Sequence, residues 1–485
     1  MDKKIFPLGM GVPMPPGSTD RESILGIRTV EVPNPSDEEI MGQYSADMFS
    51  VDAKGNKILN ENIFAEAFCA VNHLRYSNGL FYTRYGKASE EMIARDIWDS
   101  LRQEDFGFTT DMERRTKKLL GTVKLAATVE KLEARRDLIP FANGDLDLTD
   151  WTFYEERYNP SPYRLPAVLP WEAPPIPYFS KWLKDLFYPE DIPIIQEYLG
   201  GCLVPVTRTQ KALFLVGEGG AGKSVLGAIL QAILGGAMIA TQSTKEFIAD
   251  KFKLPELEHK LVLYDDDLDS AALGETGFYK KLITNSIPIT ADRKYSQAFQ
   301  FTPYAKLVSC CNQMLTSMYD HTGGFYRRLL PILVKPVAQD FQPDRDFYSK
   351  VAAERDGIAF WALMGLRCLM DNGWELTESQ RSRDYLQSHR SQGCHFPDFI
   401  QDVMEFGPER AVSSRDLTAA YRLWCQRNAV EPRKDKTLQL WIGDNEGRLG
   451  VKKSKHVQVN GQHLRGYNGM NVKKSWNLQG RISFA

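Results

Sequence analysis

Residues 217–224 read GEGGAGKS, with glycines at 217, 219, 220 and 222 ahead of Lys223 and Ser224. This spacing satisfies the phosphate-binding pattern G-x-x-x-x-G-K-[ST]. Gly217, Glu218, Gly219, Gly220, Ala221 and Gly222 are expected to wrap the backbone closely and aim N–H groups at phosphate oxygens. A helix opening at Val225 adds the positive end of its dipole. Lys223 is expected to reach the β- and γ-phosphates, and Ser224 to ligate Mg²⁺, so ATP and Mg²⁺ are the expected ligands.

About 40 residues on, KLVLYDDDLD (260–269) runs aspartates off the end of an apolar strand. One carboxylate is expected to hold Mg²⁺, and the next to orient or deprotonate the attacking water. Asp265 and Asp266 are the first choices and Asp267 is the spare. AKLVSC (305–310) is a further buried strand, and Asn312 at its tip suits contact with the γ-phosphate or that water. In GGFYRRLLPILV (323–334), Arg327 and Arg328 precede another apolar strand. The planar, permanently charged guanidinium suits phosphate oxygens.

These residues need elements to carry them. Ala212–Val216 reads as a buried strand and Val225–Leu234 as an apolar helix. Strands and helices alternate to about residue 375, which predicts an α/β domain with a mostly parallel sheet. Upstream, 159–177 holds seven prolines and reads as an ordered linker, with Tyr163 and Trp171 docking it. Segments 61–75 and 88–103 read as helices, and 178–204 as two or three helices leading into the loop. The polar stretch 377–393 reads as a second hinge.

The segment 281–306 predicts a hairpin. Ile287, Ile289 and Ala291 alternate, Asp292, Arg293 and Lys294 interrupt, and Tyr295, Gln297, Phe299 and Phe301 follow. The last 78 residues carry 15 Lys/Arg against 6 Asp/Glu, whereas the whole chain has net charge −2. That asymmetry predicts a polyanion-binding domain. Its layout is winged-helix-like: helix 415–427, a recognition helix near 436–443, and hairpin 456–467 turning at Asn460-Gly461. Arg433, Lys434, Lys436, Lys452, Lys453 and Lys455 are candidate phosphate contacts.

The totals exclude several classes. The chain has 485 residues, 43% apolar and 25% charged, as expected of globular domains. Seven scattered cysteines with no CxxC argue against a disulfide framework or structural zinc. No apolar run is long enough to span a bilayer, and residues 1–20 do not read as a signal peptide. A cytoplasmic protein without a membrane partner is expected. The DLDL at 145–148 has the look of a metal-binding pair, but no second acidic cluster completes it, and it is read as structural.

The ordered set of parts, from GEGGAGKS through YDDD and CCN to YRR, resembles the superfamily-three helicases. Within them it resembles the helicase part of phage and plasmid primase-helicases. IPFANGDLDLTDWTF (139–153), IIQEYLGGCLVPVTRTQKALFLVGEGGAGKS (194–224) and DLTAAYRLWCQRNAV (416–430) extend the resemblance over roughly 60–475. It implies a ring-forming, usually hexameric AAA+ ATPase that moves on single-stranded and forked DNA with 3′→5′ polarity. Lys223 and Ser224 match its Walker A motif, Asp265 and Asp266 its acidic pair, and Asn312 its sensor 1. Arg327 and Arg328 match the arginines that include the finger, and Lys281 the lysine that opens the middle segment. Arg293, Lys294 and Tyr295 fall on the family's DNA-gripping hairpin.

Leu315 stands where the family often has Pro, and Asn285-Ser286-Ile287 replaces a Gly-Asp pair. The implied organisation is an N-terminal domain (1–158) of the primase-helicase type, the linker (159–177), the AAA+ helicase domain (178–380) and the basic winged-helix-like domain (394–485). The implied setting is replication of a phage or mobile element in a bacterial host; since no polymerase site is completed in this chain, any primase or polymerase is expected to be a separate polypeptide or absent. An ATP-regulated initiator or loader that binds DNA without unwinding it is the alternative.

Overall fold

A computed structural model describes residues 20–31, 37–55, 57–84, 86–103, 111–130, 132–244, 247, 253–268, 277–284, 288–292, 298–314, 323–337, 344–393, 396–428, 432–459 and 461–476. It is a mixed α/β structure with several separate sheets. Contacts divide it into two compact units. The first comprises 1–269, 278–313 and 330–379, and the second 270–277, 314–329 and 380–485.

In the first unit a five-stranded sheet is built from β1 (Ala212–Val216), β2 (Ile239–Ala240), β3 (Val262–Asp265), β4 (Lys306–Cys311) and β5 (Leu329–Leu333). The order is β2-β3-β4-β1-β5. The β2–β3, β3–β4 and β4–β1 pairs are parallel. Parallel strands need covered faces, and β1, β3 and β4 are buried along their whole lengths.

Helices α1 (Ile192–Cys202), α2 (Val225–Leu234) and α3 (Arg355–Asp371) bury side chains in the same core as this sheet. The α1–α3 crossing depends on glycine. A Cβ at Gly365 would lie 2.1 Å from the Gln196 carbonyl oxygen, and one at Gly200 would lie 2.3 Å from the Leu366 nitrogen. Gly365→Ala is therefore expected to destabilise the chain by about 1–3 kcal/mol. A denaturant midpoint equal to wild type would contradict this packing.

A four-stranded sheet lies upstream, ordered Arg28–Glu31, Thr152–Glu155, Gly144–Asp147, Leu138–Phe141. Its first pair is parallel and the others antiparallel. The proline-rich segment runs along this core with Tyr163, Leu165, Ala167 and Leu169 buried, whereas Trp171 is half exposed. Asp145 is fully buried. It pairs with Arg164 at 2.9 Å and accepts bonds from the backbone and side chain of Asn159. Both carboxylate oxygens of Asp145 are thereby engaged in structure.

The stretch 377–393 contains a helix, Gln380–Gly393. Its polar residues support one another: Gln380 donates to Asp384, and Arg383 to Gln380, at the i,i+4 and i,i+3 spacings of a helix face. Ahead of it, the Thr377 backbone and hydroxyl both bond Glu197 on α1.

The second unit packs α4 (Phe396–Val403), α5 (Ser414–Arg427) and α6 (Asp435–Asp444) with β6 (Met404–Ser413), β7 (Lys452–Val459) and β8 (Gln462–Val472). The sheet is antiparallel with β8 in the middle. Its core is aromatic, with Phe396, Phe399, Tyr421, Trp424, Trp441 and Tyr467. Ser413 caps α5 by accepting from the Asp416 nitrogen. Among the described residues no helix is long and apolar enough to cross a membrane, and no His/Cys/Asp/Glu cluster could hold a metal.

Candidate nucleotide site

The loop 217–224 joins the C-terminal end of β1, an interior strand of the sheet, to α2. Gly220 and Gly222 adopt φ of 81° and 86°, which L side chains rarely tolerate. Gly217 serves close approach instead, since a Cβ there would lie 2.4 Å from the Val334 side chain. Gly219 shows neither feature.

Lys223 is only 8% exposed, and its Nζ donates to the carbonyls of Gly217 and Glu218, both at 2.7 Å. The ammonium is thus folded across the loop. Ser224 takes the N-cap position of α2, is exposed, and makes no capping bond. Val225, the first residue of α2, is buried. The first N–H groups of α2 turn back onto the loop, with Val225, Leu226 and Gly227 donating to the carbonyls of Gly222, Lys223 and Ser224, so the positive end of the helix dipole lies beside the lysine.

The neighbouring strands bring the predicted polar residues to the same end of the sheet. The C-terminal end of β4 is the pivot. Its Cys311 carbonyl accepts from the Gly217 nitrogen at 3.1 Å, and its Cys310 carbonyl from the Leu268 nitrogen at 2.8 Å. The loop and the acidic turn therefore flank β4, and Asn312, exposed, follows directly from it. Asp265 ends β3 and is 5% exposed, with one carboxylate oxygen accepting from the Thr244 nitrogen at 2.7 Å. Asp266 is exposed and accepts from the Tyr264 hydroxyl at 2.6 Å. Burial raises the Tyr264 hydroxyl well above its ordinary range, so it remains a donor. Asp267 is exposed.

Burial pushes the Cys310 and Cys311 thiols up to about 12, which leaves both unreactive near neutral pH. The charges of Lys223 and Asp265 act on both thiols, in agreement with the convergence of loop and acidic turn at the end of β4.

Three partners were missed by sequence reading. Trp182 donates from its indole Nε1 to the Gly222 carbonyl at 3.0 Å, and so ties the helix Pro177–Leu186 to the loop. Thr244 holds Asp265, and Tyr264 holds Asp266. Only Tyr264, next to the aspartates, offered a local signal.

The other predicted residues lie elsewhere. Arg327 and Arg328 belong to the second unit, in the turn after the short helix Gly323–Tyr326. Arg327 is exposed, and Arg328 donates to the Gly324 carbonyl. Lys281 is exposed on the helix Gly277–Thr284. The expected hairpin forms from Ile289–Ala291 and Phe299–Phe301, paired antiparallel, while Arg293, Lys294 and Tyr295 at its tip lie outside the described residues. Lys434, Lys436, Lys452, Lys453 and Lys455 are exposed. Arg433 is half-buried, with its backbone nitrogen bonded to the Tyr421 hydroxyl.

Two family models match parts of the chain. Residues 62–188 match the model described as D5 N terminal like. Residues 215–328 match a family of unknown function (DUF5906), a span that runs from β1 through Asn312 to the two arginines. No curated protein matches the sequence. Among solved structures, the apo structure of NrS-1 C terminal region (305-718) is similar at 13% identity and TM-score 0.47, covering 90% of this chain and 100% of that one. An A-form apo structure of the NrS-1 C terminal region gives 15% identity and TM-score 0.43, covering 72% and 79%. Likeness at this level fixes neither fold nor activity.

Proposed function

We propose that the chain is an ATP-driven DNA helicase that replicates a phage or mobile element. In this reading the first unit's parallel sheet is an AAA+ core and the second unit's C-terminal part is a winged-helix-like domain. The carrying observation is the convergence at one sheet end. Lys223 on the loop after β1, Asp265 at the end of β3 with Asp266 following it, and Asn312 after β4 lie at the ends of three adjacent strands in the order β3-β4-β1.

The loop Gly217–Val225 holds the triphosphate, with Lys223 leaving the loop carbonyls for phosphate oxygens. Ser224 and Asp265 hold Mg²⁺, which supplies positive charge against the phosphates when bound. The Thr244 bond fixes Asp265 for that task. Asp266, steadied by Tyr264, orients the attacking water, and Asn312 contacts that water or the γ-phosphate. Arg327 and Arg328 supply the finger, from the same chain or a neighbour in a hexameric ring.

Force is applied to DNA by the hairpin, with Arg293 and Lys294 on phosphates and Tyr295 stacked on a base or sugar. Lys281 lies at the root of this segment. Lys294→Ala is therefore expected to lose unwinding while keeping basal ATP hydrolysis. Equal unwinding of forked DNA by the variant and wild type would remove the hairpin from the mechanism.

A further inference from the structure

The basic C-terminal part of the chain presents two different surfaces. The exposed face of α6 carries Lys436, Leu440, Gly443 and Asp444. Leu440 is 56% exposed, and Asp435 at the helix start is paired with Arg422 at 2.9 Å. This face is close to neutral. The hairpin β7–β8 differs. From Lys452 to Arg465 it holds four Lys/Arg, two histidines and no carboxylate.

The register concentrates these charges. Ser454 pairs with Gly466 and Val457 with Leu464, so Lys455 and His456 together oppose the single residue Arg465. This is a β-bulge, which twists the strand and re-aims side chains. It sets Lys455 across from Arg465, and like charges opposite one another in a sheet are unfavourable. Among the described residues no carboxylate pairs with Lys452, Lys455 or Arg465. All three are exposed.

Protection of a sheet edge explains lysines on β7, which is an edge strand. Arg465 precedes Gly466, where the pairing of β8 with β6 begins, so at this point β7 and β8 form a two-stranded ribbon with both edges open. Edge protection does not call for like charges opposite one another, and an anion bridging Lys455 and Arg465 relieves that repulsion.

The geometry points to the bulged β7–β8 hairpin, rather than α6, as the element of the C-terminal unit that grips the phosphate backbone of duplex DNA. This rests on the reading of the chain as a DNA-acting protein. Duplex is favoured over single strands because residues 452–465 contain no Phe, Tyr or Trp to stack on unpaired bases. A two-stranded ribbon also fits the major groove.

The test uses the full chain on a short blunt duplex, with binding followed by fluorescence anisotropy across a salt series. Lys455→Ala with Arg465→Ala is expected to weaken binding about tenfold and to lower the salt slope by nearly 2. Lys436→Ala with Leu440→Ala is expected to stay within about twofold of wild type. The inference is overturned if the helix pair loses more affinity than the hairpin pair, or if the hairpin pair binds as wild type does. Basal ATP hydrolysis in each variant reports that the chain is folded. Wild-type protein that unwinds forks yet ignores blunt duplex sinks this inference alone. Wild-type protein that binds no DNA sinks the proposed function as well.

Discussion

Lys223→Ala is expected to lower ATP turnover by about 10²–10³-fold or more, the range for removing one charge-stabilising donor from a reaction centre. Lys223 is buried against its own loop, bonded to the carbonyls of Gly217 and Glu218. Glu218 and Gly219 are exposed, so water can replace the ammonium at this rim once the side chain is removed. The stability cost should accordingly be small, about 1 kcal/mol. A large loss of activity with a small shift in melting is the signature of a lysine that serves the ligand. Steady-state phosphate release, read beside a thermal melt, separates the two quantities. Wild-type hydrolysis in this variant would take the loop out of the reaction.

The second large effect concerns the arginines. An arginine finger contributes about 10³–10⁵ in turnover where one is used. Arg328 is committed to the Gly324 carbonyl, whereas Arg327 is exposed. Arg327→Ala is therefore expected to show the larger loss of hydrolysis. If a neighbouring subunit provides the finger, mixing the inactive Lys223→Ala and Arg327→Ala proteins should restore a fraction of activity. Some interfaces would then join an intact loop to an intact arginine. Mixtures as inactive as either parent would contradict a finger supplied in trans.

The parts of this site that were legible in the sequence are those written in local chemistry. β1, β3 and β4 are short apolar runs bounded by Gly217, Asp265 and Asn312, residues that mark where a strand leaves a sheet. The hairpin Ile289–Ala291/Phe299–Phe301 and the helices α5 and α6 followed equally local patterns.

What stayed hidden depends on distant partners. Trp182 meets Gly222 across 40 residues, and Thr244 meets Asp265 across 21. β2 has only two residues, too few to show a period. Arg28–Glu31 is largely exposed and pairs with Thr152–Glu155 more than a hundred residues away, so no alternation announced it. The helix within 377–393 was obscured by its polarity, because its stability comes from side-chain pairs rather than an apolar face. The β7 bulge could not be read either, since it is a property of pairing register and not of one strand.

Strand displacement on a labelled DNA fork tests the central claim most directly. With ATP and Mg²⁺ the wild-type chain should release the labelled strand, and Lys223→Ala should release none under the same conditions. A wild-type chain that binds the fork and hydrolyses ATP without separating its strands would contradict the helicase account and leave an ATP-regulated initiator or loader in its place.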